Sequence, residues 1–82
     1  MVRQFTVEDF GRRLRALRKQ RGQSQEEFAL LVDLDRTYIG GIERGERNPG
    51  LKVSYRIADT LTVPVSDLFS EFTNIRSTRV YD

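Results

Sequence analysis

The feature that most constrains this chain is a pair of short amphipathic segments separated by only three residues, Asp33-Leu34-Asp35. The first opens on Ser24-Gln25-Glu26-Glu27, a Ser-x-x-Glu capping box in which hydroxyl and carboxylate satisfy the amides of a helix's first turn. Its inward face is Phe28, Ala29 and Val32, and Leu30 points off that face, either partly exposed or packed on a later segment. The second runs from Arg36 to about Arg44, with Asp35 as cap, Ile39 and Ile42 as apolar positions and Tyr38 at their edge. Leu34 is expected to plug the angle between the two helices. Gly40-Gly41 ordinarily suggests a turn, since each glycine costs a helix about 1 kcal/mol relative to alanine, but the capping and apolar spacing on either side favour helix.

Three further helices flank this pair. In the first, Thr6 can cap, Glu8 and Asp9 complement the positive end, and Val7, Phe10, Leu14 and Leu17 form an apolar stripe ending near Arg21-Gly22. Arg18 falls inside that stripe, so it needs a counter-charge. After Gly45 and the Asn48-Pro49-Gly50 breakers, a fourth helix from about Leu51 to Leu61 buries Val53, Ile57, Ala58 and Leu61. Pro64 starts a short fifth helix that contributes Leu68 and Phe69. Residues 1–70 read as one domain. Residues 71–82 have no firm period, yet Phe72, Ile75, Val80 and Tyr81 are more apolar than a disordered tail requires, so this tail packs on the core, covers a dimer interface or serves a partner.

Composition narrows the function. The chain has 82 residues with neither Cys nor His, which removes disulfides, zinc ligands and imidazole bases. No nucleophile–base or metal constellation is evident, so neither an enzyme nor a cofactor or metal site is expected. No apolar run approaches a membrane span or a signal-peptide core, which makes cytoplasmic location the expectation. The net charge is only +2, yet residues 1–21 hold seven basic residues against two acidic ones. Such a cluster is either a solvated helix face or part of a polyanion-binding surface. Twelve of the fourteen basic residues are Arg, whose forked donors suit phosphate and guanine.

Two short helices, the second presenting small, polar and basic side chains outward, suit the DNA major groove. Ser24-Gln25-Glu26-Glu27-Phe28-Ala29, Tyr38-Ile39-Gly40-Gly41-Ile42-Glu43-Arg44-Gly45 and Arg47-Asn48-Pro49 resemble the Cro/C1-type (Xre) helix-turn-helix family over about residues 8–70. Within it, Leu34-Asp35-Arg36-Thr37-Tyr38-Ile39 followed by Gly41-Ile42-Glu43 is most similar to the controller proteins of restriction–modification systems. The resemblance implies an all-α, compact, five-helix lambda-repressor-like domain whose second and third helices form the motif. It implies a sequence-specific transcriptional regulator on double-stranded DNA with a palindromic operator. Homodimerisation is expected because one small domain contacts too few base pairs, and RNA polymerase is a further partner that the resemblance admits.

Residue by residue, the resemblance places Arg36 and Thr37 where base edges are read, an Arg forking onto guanine and a Thr methyl meeting thymine. Tyr38 is either a phosphate or base contact or an edge-of-core aromatic. Gly40 and Gly41 leave the groove-facing surface bare, so their backbone is expected to approach DNA closely. Gln25 is expected on the sugar-phosphate backbone while bracing the recognition helix, and Arg44, Arg47, Asn48 and Lys52 are expected to clamp phosphates. Arg18 and Glu43 correspond to a structural buried ion pair. Val63, Val65, Leu68 and Phe69 are the expected dimer surface. Three positions depart from the family pattern: Asp33 stands where Gly is usual, Gln23 replaces an apolar residue before the capping Ser, and glycine occupies the usual side-chain-donor position in the third helix. The alternative is an antitoxin of the same family that binds a toxin protein and autoregulates its operon.

Overall fold

The structure is a computed structural model that describes residues 4–70. The apolar tail positions Phe72, Ile75, Val80 and Tyr81 lie outside the described residues. Four α-helices follow one another, α1 (Val7–Gln20), α2 (Gln25–Val32), α3 (Arg36–Glu43) and α4 (Leu51–Leu61), and a 3₁₀ turn, η1 (Val65–Phe69), follows α4. No strand occurs among the described residues.

Each helix starts and stops where its sequence supplies the missing hydrogen bonds. At α1, Thr6 accepts from the Asp9 amide at 3.2 Å while the Asp9 carboxylate accepts from the Thr6 amide at 2.9 Å, a reciprocal cap. Ser24 and Glu27 do the same for α2 at 3.0 and 2.8 Å. Asp35 accepts from the Thr37 amide at 3.0 Å to open α3, which runs through both Gly40 and Gly41. Asp33 ends α2 in the left-handed conformation, φ 59° and ψ 50°, which a short polar side chain tolerates better than most.

A fifth α-helix was expected after Pro64, and η1 takes its place. Its Asp67 amide donates to the Pro64 carbonyl at 2.9 Å, a three-residue closure. Five residues are too few for the longer-range α ladder to become favourable, and the tighter turn still delivers Leu68 to the core.

That core is Phe10, Leu14 and Leu17 of α1, Phe28, Ala29 and Val32 of α2, Ile39 and Ile42 of α3, Ile57, Ala58 and Leu61 of α4, and Leu68. Leu34, Tyr38 and Val53 pack partly buried against it, Leu34 in the angle between α2 and α3 as its position suggested. Leu30 resolves to the solvent side, 82% exposed. Leu68 is 0% exposed, so it is a core residue and has no surface left for a dimer partner, contrary to the expectation from sequence. Val63 and Val65 are half-buried against the core, and the Phe69 ring keeps exposed surface while packing 5.3 Å from Phe10 and 5.6 Å from Phe5.

Candidate nucleic-acid interface

The third helix is held from behind by an ion pair that the α1 wheel position demanded. Arg18 donates through Nε to Glu43 Oε2 at 2.6 Å and through Nη2 to Oε1 at 2.9 Å, a planar two-pronged contact. The two side chains are 7% and 3% exposed. Arg18 also donates to the Gln23 carbonyl at 2.6 Å, and Gln25 Nε2 donates to Glu43 Oε1 at 3.0 Å. One carboxylate thus joins α1, the start of α2 and the end of α3. The hydrogen bond to Glu43 raises the Arg18 pKa above its ordinary value, burial opposes this, and the Glu43 charge adds to it. Gln25 therefore braces α3, with its amide nitrogen committed to Glu43.

At the other end of α3, Arg36 and Thr37 are both exposed, their backbone fixed by the Asp35 cap. Polar side chains at the entry of a helix, presented to solvent on a rigid element, are what base-edge recognition requires. Tyr38 sits half-buried at the core edge, and the Arg47 guanidinium lies 5.8 Å from its ring centroid. This is the edge-of-core position that was one of its two expected roles.

Gly40 and Gly41 differ from the bare surface expected of them, because both are buried. A Cβ on Gly40 would lie 3.0 Å from Arg44 Nη1 and 3.5 Å from Gln25 Oε1, and one on Gly41 would lie 2.8 Å from Arg47 Cγ. The two glycines are roofed by arginine side chains. A close approach of their backbone to DNA therefore needs Arg44 and Arg47 to swing outward, which long exposed side chains do readily.

Arg44, Arg47, Asn48 and Lys52 are all exposed in and after the α3–α4 loop. Arg44 pairs with Glu46 at 3.1 Å. That hydrogen bond, with the Arg44 charge, holds the Glu46 carboxyl below its usual range, and it raises Arg44 in return. Asn48 lines a cavity of about 220 Å³ with Phe5, Thr6, Val7, Phe10, Pro49 and Phe69.

Sequence reasoning missed three ties. Arg13 is buried and donates to the Asp67 carbonyl at 2.7 Å, fastening η1 to α1. Its place three residues after Phe10 and four before Leu17 carried the same signal as Arg18. Arg56 on α4 donates to the Val32 and Asp33 carbonyls at 2.7 and 2.8 Å, closing the exposed end of α2. Gly11 of α1 touches the end of α3, and nothing in the local pattern foretells it. The N-terminal basic cluster is accordingly partly structural, with Arg12 on Asp9, Arg13 on Asp67 and Arg18 on Glu43. Among the described residues no group of acidic side chains is arranged to hold a metal ion, and no helix is long and apolar enough to cross a membrane.

A capped α2, a three-residue turn opened by left-handed Asp33 and an α3 that presents Arg36 and Thr37 to solvent at its entry define a helix-turn-helix DNA-binding domain. The helix-turn-helix family profile (HTH_3) matches residues 14–68. The chain belongs to this Cro/C1-type family of DNA-binding transcriptional regulators. It is 46% identical over 63 residues to the control protein C.MunI of Mycoplasma sp, covering 76% of this chain and 85% of that protein. Its fold matches the restriction–modification controller protein C.AhdI of Aeromonas hydrophila with a TM-score of 0.75 and 46% identity, over 77% of this chain and 96% of that one. It also matches the controller protein C.Esp1396I, solved as a tetramer with its natural 35-base-pair operator, at TM-score 0.72 and 34% identity over 82% and 88% of the two chains.

Proposed function

We propose that this protein is the controller of a restriction–modification system, a regulator that binds a palindromic operator as a homodimer and adjusts transcription beside it. The observation that carries this is the exposed Arg36-Thr37 entry of α3 on a helix anchored from behind by Arg18, Glu43 and Gln25. In this reading Arg36 and Thr37 read bases, with Tyr38 at their flank and the Gly40-Gly41 backbone coming close once its arginine roof opens. Arg44, Arg47, Asn48 and Lys52 hold phosphates, which supplies affinity and register but no sequence choice. Gln25 contributes from the start of α2 through whatever polar capacity Glu43 leaves it.

The homodimer contact falls to apolar surface that the core leaves uncovered. Val63, Val65 and Phe69 keep that role from the original expectation, and Leu51 and Tyr55, one turn apart on α4 and both exposed, extend it. The tetrameric operator complex of C.Esp1396I supports binding by more than one copy. A dimer bound beside a promoter has RNA polymerase as its natural second partner.

Selection of bound duplexes from random DNA tests the proposal. The expected product is an inverted repeat whose half-site centres lie about one helical turn, ~34–36 Å, apart. Failure to enrich any site, or enrichment of a lone half-site by a protein that sediments as a monomer at micromolar concentration, would refute it.

A further inference from the structure

Gly11 lies inside α1, where glycine costs a helix about 1 kcal/mol relative to alanine and no cap or turn calls for it. Its neighbours explain it. A Cβ there would lie 2.6 Å from the Glu43 carbonyl oxygen and 2.9 Å from the Glu43 carbonyl carbon, with the Ile42 carbonyl oxygen nearer still. These are backbone atoms, which cannot rotate aside. The two helices therefore touch main chain to main chain. A second contact follows at Gly45, φ +78°, where a Cβ would lie 2.7 Å from Glu8 Cγ and 3.1 Å from Glu8 Cα. Together with the Arg18–Glu43 pair, α1 meets the C-terminal end of α3 at three points, residues 8, 11 and 18. The N-terminal end, with exposed Arg36 and Thr37, is joined to the rest through the Asp33–Asp35 turn, the half-buried Tyr38 and the buried Ile39.

We infer that Gly11 is a positioning residue for DNA reading: its seat under the Ile42 and Glu43 carbonyls fixes the tilt of the recognition helix. One added methyl displaces the end of α3 from α1, while Ile39 and the turn hold the middle and the start. The helix pivots, and Arg36 and Thr37 shift relative to base edges. A forked base contact tolerates little displacement, because hydrogen bonds weaken steeply with distance and angle. Phosphate contacts from long exposed arginines and lysines adjust. Discrimination is lost and charge-driven affinity stays. This rests on the operator-reading function proposed above.

The experiment compares wild type with Gly11→Ala, each at a temperature where circular dichroism shows it fully folded. Both are titrated against the selected operator and a random duplex over a range of salt. The expected result is a loss of at least about tenfold on the operator, with random-duplex affinity and the salt slope unchanged within about twofold. Leu61→Ala, a core change remote from the seat, should lower stability and preserve the operator-to-random ratio. An unchanged ratio in Gly11→Ala, or equal loss on both duplexes, overturns the inference. If Gly11→Ala does not fold, Gly45→Ala makes the same comparison, because its Cβ would press on the α1 backbone at Glu8 Cα, 3.1 Å away, and strain a left-handed residue at the end of α3. An unchanged ratio there overturns the inference equally. A wild-type protein that selects no site refutes the functional reading instead, and this inference falls with it.

Discussion

Arg18→Ala removes one partner of a pair whose side chains are 7% and 3% exposed and leaves the Glu43 carboxylate buried with the Gln25 amide at 3.0 Å. An uncompensated buried charge of this kind costs about 3–5 kcal/mol. A domain of this length has a total stability of about 4–12 kcal/mol, at ~0.05–0.15 kcal/mol per residue. The variant therefore sits near its unfolding threshold. At about 4–8 °C per kcal/mol, its melting temperature falls by roughly 12–40 °C. The pair is not itself the best use of the space, because apolar residues of similar volume often replace a buried ion pair at little cost. Arg18→Met combined with Glu43→Leu should accordingly recover most of the loss in urea titrations while Gln25 loses its acceptor, giving a folded protein with weakened DNA binding. The sign of the pH dependence is also fixed. Arg18 is raised in the folded state, so its contribution is complete below the unfolded pKa and is lost only as pH rises through the folded one, beyond the neutral range. A cost for Arg18→Ala below about 1 kcal/mol, the scale of a surface pair, would refute the anchoring argument.

Four other outcomes follow from the same geometry. Leu68→Ala should cost about 2–5 kcal/mol in urea unfolding and leave the self-association constant of the folded protein unchanged, as suits a core side chain. Arg36→Ala should lose about 1–3 kcal/mol on the operator and relax preference at one position per half-site, whereas Arg47→Ala should weaken all DNA alike and flatten the salt dependence; equal effects would contradict the division of roles. Glu46→Gln removes the carboxylate that holds Arg44 and should strengthen binding to random and operator DNA alike by a few-fold, read by fluorescence anisotropy. Asp33→Gly relieves a left-handed residue and should stabilise the fold by up to about 1 kcal/mol in the same urea assay.

The relation between α1 and α3 shows how far the sequence reaches. Thr6, Ser24 and Asp35 announce their helices because a cap is a contact within three residues, and each one caps as its position implies. The apolar periods of Phe10, Leu14, Phe28, Ile39 and Ile57 likewise need only the helix's own geometry, which is why the core was legible. Arg18 was legible for the same reason, since an Arg inside an apolar stripe has to be paired. Leu68 was misplaced because a short apolar run after Pro64 looks the same whether it faces a partner or its own core. Only the docking of η1 on α1, through Arg13 and the Asp67 carbonyl, decides between them.

By itself, then, the sequence determined the helices, their caps, the turn between α2 and α3 and the family to which this pattern belongs. The tertiary structure decided what lies between elements distant in the chain. It placed arginines over Gly40 and Gly41, committed Gln25 to Glu43, fastened the end of α2 with Arg56 and seated α3 on Gly11. Local hydrogen bonds and helical periodicity are written in neighbouring residues. The approach of two backbones is set by how every side chain between them packs, and a single glycine carries no mark of the surface it will meet.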